Sequence, residues 1–192
     1  NLCSAHEPLF GFGPDVLFKG GFDPHMSFHL NKYDFENEIS CGYGITPKWT
    51  VAPELSILTK AGKSKLEGYM IESNYRFMKI DKPGISYKAS FVTAFSIPLE
   101  NKEEKNLLCA FTAGQESLRW YWFTHFGFEK NLSENLWNEG NAFTYGATLG
   151  IRPHKPDYYK PDFVFLLEAI GNLHQEFTEE ETNIKISSGN TI

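Results

Sequence analysis

Histidine, cysteine and paired charges are the residues here whose types and spacing invite chemistry, and the six histidines come first. His25 and His29 are four apart, a spacing that aligns two ligands on a helix. On a strand it leaves them on one face but about 13 Å apart, too far to share an ion directly. A different donor set arises at the N-terminus, where Cys3-x-Ala5 has the small-x-small form of a signal-peptidase site and residues 1–5 read as a signal remnant. Cleavage after Ala5 would make His6 the first residue, and a terminal amine beside an imidazole is a copper chelate. With Met26 next to His25, the metal expectation is therefore copper at His6, His25 and His29, set against the plainer reading of surface histidines on an ordinary terminus. Cys3, Cys41 and Cys109 form neither a CxxC pair nor a zinc pattern. Cys41 and Cys109 either pair in an oxidising compartment or stand as small buried residues.

Hydrolytic chemistry finds little support. No Gly-x-Ser-x-Gly elbow is present, and His125 and His174 fall on the polar side of their segments, whereas outer-membrane lipases carry their catalytic groups on the lipid-facing exterior. Gly11-Phe12-Gly13 and Gly20-Gly21 lack the strand-loop-helix setting of a phosphate loop and read as turns. The expectation is a non-enzymatic protein with no catalytic residue. Lys and Arg number 18 against 24 Asp and Glu, a net charge of −6, and the basic residues are dispersed, so nucleic acid is not an expected partner.

What must position these residues is a set of strands. The 192 residues suit one unit, and no run approaches the roughly 18 apolar residues of a membrane helix, so any membrane crossing is by strands. Aromatic content is 16%, with 16 Gly, a mixture suited to rings facing lipid. Period-two alternation recurs from about residue 26 to 176. Trp49, Val51, Pro53, Leu55 and Ile57 alternate with Thr50, Ala52, Glu54 and Ser56. Tyr69, Ile71, Tyr75 and Phe77 oppose Glu72, Asn74 and Arg76. Ile85 to Ile97, Leu118 to Glu129 and Phe143 to Arg152 repeat the pattern, and strands near 26–33, 35–46 and 162–176 fit it, making eight or nine in all. Lys82-Pro83-Gly84-Ile85 has Pro and Gly at the central positions of a type II turn, and Ile45-Thr46-Pro47-Lys48 is a weaker turn of the same kind. Residues 99–117, charged at Glu100, Lys102, Glu103, Glu104 and Lys105, read as the longest connection. The organisation expected is an N-terminal segment, 1–25, followed by an all-β, antiparallel up-and-down barrel over 26–192.

Alternation alone leaves open which face is inside. A soluble lipocalin-like barrel that binds a small apolar ligand also alternates. Two features favour apolar-out: the apolar face carries more large rings than a small barrel can hold around a cavity, and the other face mixes Gly, Ser and Thr with charges of both signs, suited to a narrow wet lumen. The lumen-lining candidates are Glu36, Glu38, Glu54, Glu72, Arg76, Lys88, Arg119, His125, Arg152 and Glu168. Glu72 and Arg76 share a strand face and Lys88 lies on the next strand, which makes a charge ladder that either meets a passing solute or plugs the barrel.

Gly42-Tyr43-Gly44-Ile45-Thr46-Pro47-Lys48-Trp49 with Pro53-Glu54-Leu55, Tyr75-Arg76-Phe77, Ile97-Pro98, Tyr145 to Pro153 and Phe165-Leu166-Leu167-Glu168 resemble outer-membrane β-barrel transporter-like proteins of the type associated with phenol meta-pathway degradation and metal-efflux clusters. The resemblance spans roughly residues 40–170. It implies an exported protein of the bacterial outer membrane, with the lipid bilayer and a small solute as partners. The alternative location is the periplasm or outside the cell. The pattern departs from the family at Ser188-Gly189-Asn190-Thr191-Ile192, where an amphipathic strand ending in an aromatic is expected, so closure at the C-terminus is expected to be incomplete or unlike the family's.

Overall fold

The computed structural model describes residues 12–30, 34–60, 63–99, 105–132, 141–153, 162–174 and 180–191. It is all-β. Ten strands follow one another as β1 (Phe22–Leu30), β2 (Asp34–Thr46), β3 (Trp49–Lys60), β4 (Lys63–Lys82), β5 (Ile85–Pro98), β6 (Asn106–Ser117), β7 (Trp120–Asn131), β8 (Ala142–Ile151), β9 (Asp162–His174) and β10 (Glu180–Thr191). β10 is defined by its backbone alone. Each strand pairs antiparallel with the next in one up-and-down sheet. Among the described residues β1 and β10 share no ladder, so the sheet is not closed into a barrel.

The turns follow from local chemistry. Between β4 and β5, Pro83 presets φ and Gly84 adopts φ 77°, as the type II expectation requires. Ser86 then donates to Asp81 Oδ1 at 2.7 Å across the base of the hairpin. Between β6 and β7, Ser117 Oγ donates to Trp120 O (2.6 Å) and accepts from Trp120 N (3.2 Å). The β2–β3, β4–β5 and β6–β7 turns lie at one end of the sheet, where β1 also begins and β10 ends. β8 ends and β9 begins at that same end.

The two faces sort as the alternation predicts. Phe91 is 45% exposed, Phe126 50% and Leu149 41% on one face, with Trp122 half-buried. Tyr75, Phe91, Phe111, Phe126 and Tyr145 are successive cross-strand partners in a row across β4 to β8, and the Phe111 and Phe126 rings lie 5.1 Å apart. A bulge between Arg76 and Met78 shifts the register of β4, so Ile80 follows Tyr75 and Phe77 onto the same exposed face. The opposite, inner face holds Ser90, Thr112, Thr148 and Glu168, all buried.

Three sequence expectations change. β6 occupies most of the stretch expected to be the long connection. Its inner positions Ala110, Thr112 and Gly114 are small rather than charged, so it alternates in size instead of polarity. β10 adds a strand where none was expected, and β1 begins at Phe22, before the expected residue 26. Of the two alternatives for Cys41 and Cys109 the unpaired one holds, and both are free and half-buried. They lie on β2 and β6, with three strands between them, and four strand spacings amount to about 19 Å along the sheet against a disulfide Cα separation of about 4.4–6.8 Å.

Candidate functional site

The inner face is filled in two ways. On β7, Tyr121, Phe123 and His125 point inward and each ring lies over a glycine of a neighbouring strand. A Cβ at Gly150 would meet the Tyr121 ring at 2.1 Å, one at Gly114 the Phe123 ring at 2.2 Å, and one at Gly146 the His125 ring at 2.3 Å. The inward glycines therefore make room for rings, and the buried apolar cluster is Tyr121, Phe123 and Leu166.

The second filling is the chain's own N-terminal segment. Residues 12–21 cross the inner face from β7 to β2 before entering β1. The Phe12 ring meets His125 edge-on at 5.6 Å. Asn74 Nδ2 donates to Gly13 O (3.1 Å) and Asp15 O (2.9 Å), and Ser90 Oγ donates to Pro14 O (2.7 Å). Leu17 N donates to Thr50 Oγ1 at 2.8 Å. Gly20 N then donates to Gly44 O, and Gly44 N to Gly21 O. A Cβ at Gly44 would sit 2.0 Å from Phe18 O, so only glycine allows this backbone to pass so close.

Asp15 belongs to an alternating chain of charges centred on Lys88. Its Oδ1 accepts from Lys88 Nζ at 2.6 Å and lies 3.9 Å from Arg76 Nη1. Lys88 Nζ also donates to Glu116 Oε2 at 2.9 Å, and Glu116 Oε1 accepts from Arg152 Nη2 at 3.3 Å. The order is thus Arg76, Asp15, Lys88, Glu116, Arg152. Lys88 is 8% exposed and Arg152 5%. Burial of this kind is costly for single ions and tolerated when each has a partner. Arg152 also lies over the Tyr121 ring at 5.6 Å, and Arg76 Nη2 donates to Pro47 O at 2.9 Å. All five charges lie toward the end of the sheet that carries the tight turns.

No family model, curated protein or solved structure matches this chain.

Of the residues singled out from sequence, Arg76, Lys88, Arg152 and His125 come together around the N-terminal segment. Glu168 is buried on the inner face and accepts from Thr148 Oγ1 at 3.3 Å. Glu72 and Glu54 are half-buried on β4 and β3, and Glu38 accepts from Ser27 at 2.6 Å. Glu36 is on β2 opposite His29 in the β1–β2 ladder, and the side chains of both lie outside the described residues. Arg119 lies in the exposed β6–β7 turn rather than on a strand, because the Ser117 hydrogen bonds close the turn around it. His25 is exposed on β1, and His6 lies outside the described residues. Among the described residues, no group of three or more His, Cys, Asp or Glu side chains is placed to hold a metal ion.

Asp15 and Glu116 were missed. Asp15 precedes every periodic segment, and Glu116 ends a stretch that reads as a loop. One signal did point to the segment: Gly42 and Gly44, two apart on a strand, clear one face for an approaching backbone.

Proposed function

We propose that this chain forms an outer-membrane β-barrel, a non-enzymatic channel or transporter-like protein for a small solute, with residues 12–21 seated in its lumen. The observation that carries the reading is the reversal of ordinary burial. Phe91, Phe126, Leu149 and Phe165 are exposed while Lys88, Arg152 and Glu168 are buried, the distribution expected when lipid rather than water surrounds the sheet. The strands support it. Their lengths, from 9 residues in β1 to 20 in β4, meet the 9–11 residues or so that a tilted strand needs to cross a bilayer. The strand motifs that resemble outer-membrane transporter-like proteins point the same way.

In a bilayer, unpaired strand edges are not tolerated. The reading therefore requires β1 and β10 to pair with each other or with further strands. The buried charges then act through a lower effective dielectric than surface charges, so the lumen rather than the loops sets any preference among solutes.

The test is the purified protein in detergent and in planar bilayers. Heat-modifiable gel migration, loss of solubility on detergent removal and stepwise conductance are expected. A monodisperse protein that needs no detergent and binds an apolar ligand would overturn the reading in favour of a soluble barrel.

A further inference from the structure

We propose that the place held by the Asp15 carboxylate is a binding subsite for a small carboxylate solute, and that Asp15 is its built-in, displaceable occupant. This rests on the barrel reading for its biological use, but the site itself is defined by geometry. Asn74 Nδ2, Ser90 Oγ, Lys88 Nζ and Arg76 Nη1 all face the oxygens of Gly13, Pro14 and Asp15. Every one of these contacts offers a proton, so the cradle suits a ligand rich in acceptor oxygens and poor in donors. A carboxylate with a neighbouring carbonyl or carboxylate oxygen has that character, and it is what the segment presents.

Charge points the same way. The chain Arg76, Asp15, Lys88, Glu116, Arg152 holds three cations and two anions. If Asp15 leaves, Arg76 and Lys88 lose the carboxylate they share, and the vacated place attracts an anion. The hold on residues 13–17 is also suited to exchange. These residues join no ladder. Side chains of β3, β4 and β5 grip them through the contacts to Thr50, Asn74, Arg76, Lys88 and Ser90, and the strands beneath keep their own pairing when the segment lifts. A tethered carboxylate competes at an effective concentration in the millimolar range, so a free solute of equal affinity takes its place only at comparable concentrations.

The test uses the full chain folded in detergent, with succinate as the probe and inorganic phosphate as the second arm, read by calorimetric titration. Asp15→Asn keeps the shape and removes the charge, and succinate affinity is expected to rise at least about tenfold over the unsubstituted chain. Adding Lys88→Met is expected to abolish that gain. Asp15→Ser serves if Asp15→Asn does not fold, with heat-modifiable migration as the check. No succinate binding in a folded Asp15 variant, or a gain that survives Lys88→Met, overturns the proposal. Tighter binding of phosphate than of succinate overturns the carboxylate assignment. Failure of the barrel reading looks different: the unsubstituted chain then lacks heat-modifiable migration, whatever it binds.

Discussion

Phe126→Arg separates a lipid-facing sheet from a water-facing one. Phe126 lies near the middle of β7, 50% exposed, with its ring 5.1 Å from Phe111 and its cross-strand partner Tyr145 on the other side. Two effects combine in the substitution. Loss of the ring pair costs about 0.5–1.5 kcal/mol beyond area burial in either solvent, and Phe126→Ala measures that loss together with the lost burial. The added charge costs about 2–4 kcal/mol if the position is near the bilayer midplane, but only about 0.5 kcal/mol or less at a water-exposed surface position. The difference between the Arg and Ala variants is therefore expected to be about 30- to 900-fold in the folding equilibrium, the conversion of 2–4 kcal/mol at RT of about 0.59 kcal/mol. Reversible urea unfolding in lipid vesicles, followed by tryptophan fluorescence and by heat-modifiable migration, reads it. Arg and Ala variants equal within about 0.5 kcal/mol would refute the assignment of this face to lipid.

Gly150→Ala places a methyl 2.1 Å from the Tyr121 ring and is expected to cost about 1–3 kcal/mol by overpacking; the same urea titration should show part of the loss recovered in a Gly150→Ala, Tyr121→Ala double variant. Gly84→Ala forces a side chain onto φ 77°, at a cost of order 1 kcal/mol. Its effect should be a lower unfolding midpoint without a change in the slope against denaturant. Lys88→Met leaves Asp15 and Glu116 without their shared cation and is expected to destabilise by about 3–5 kcal/mol, and adding Asp15→Asn should restore part of it if the three charges act as one group.

The sheet was largely legible from the residues because strand periodicity and turn chemistry are local. The alternation of Trp49 to Ile57 and of Phe143 to Arg152 identified β3 and β8, and Pro83-Gly84 located the turn that Gly84 adopts. Large rings on one side and small or charged residues on the other were enough to predict the exposed face, and Phe91, Phe126 and Leu149 lie on it. The local signal changes kind at β6. β6 hides because its inward positions Ala110, Thr112 and Gly114 are small, Gly114 making room for the Phe123 ring of β7, and the size of an absent side chain carries no period in polarity.

The tertiary structure alone decided what fills the inner face. Arg76 and Lys88 could be paired from sequence as residues of neighbouring strands, but not with Asp15, which is 61 residues before one and 73 before the other. No periodicity links a segment without a ladder to the strands that grip it. Its place is set by donors that converge only once β3, β4 and β5 are in register, and by the space that Gly42 and Gly44 leave open. Sequence by itself thus determined eight of the ten strands, the β2–β3 and β4–β5 turns and the sorting of the faces, because each depends on neighbours a few residues away. The site depended on contacts between distant segments, which only the folded sheet brings within hydrogen-bonding distance.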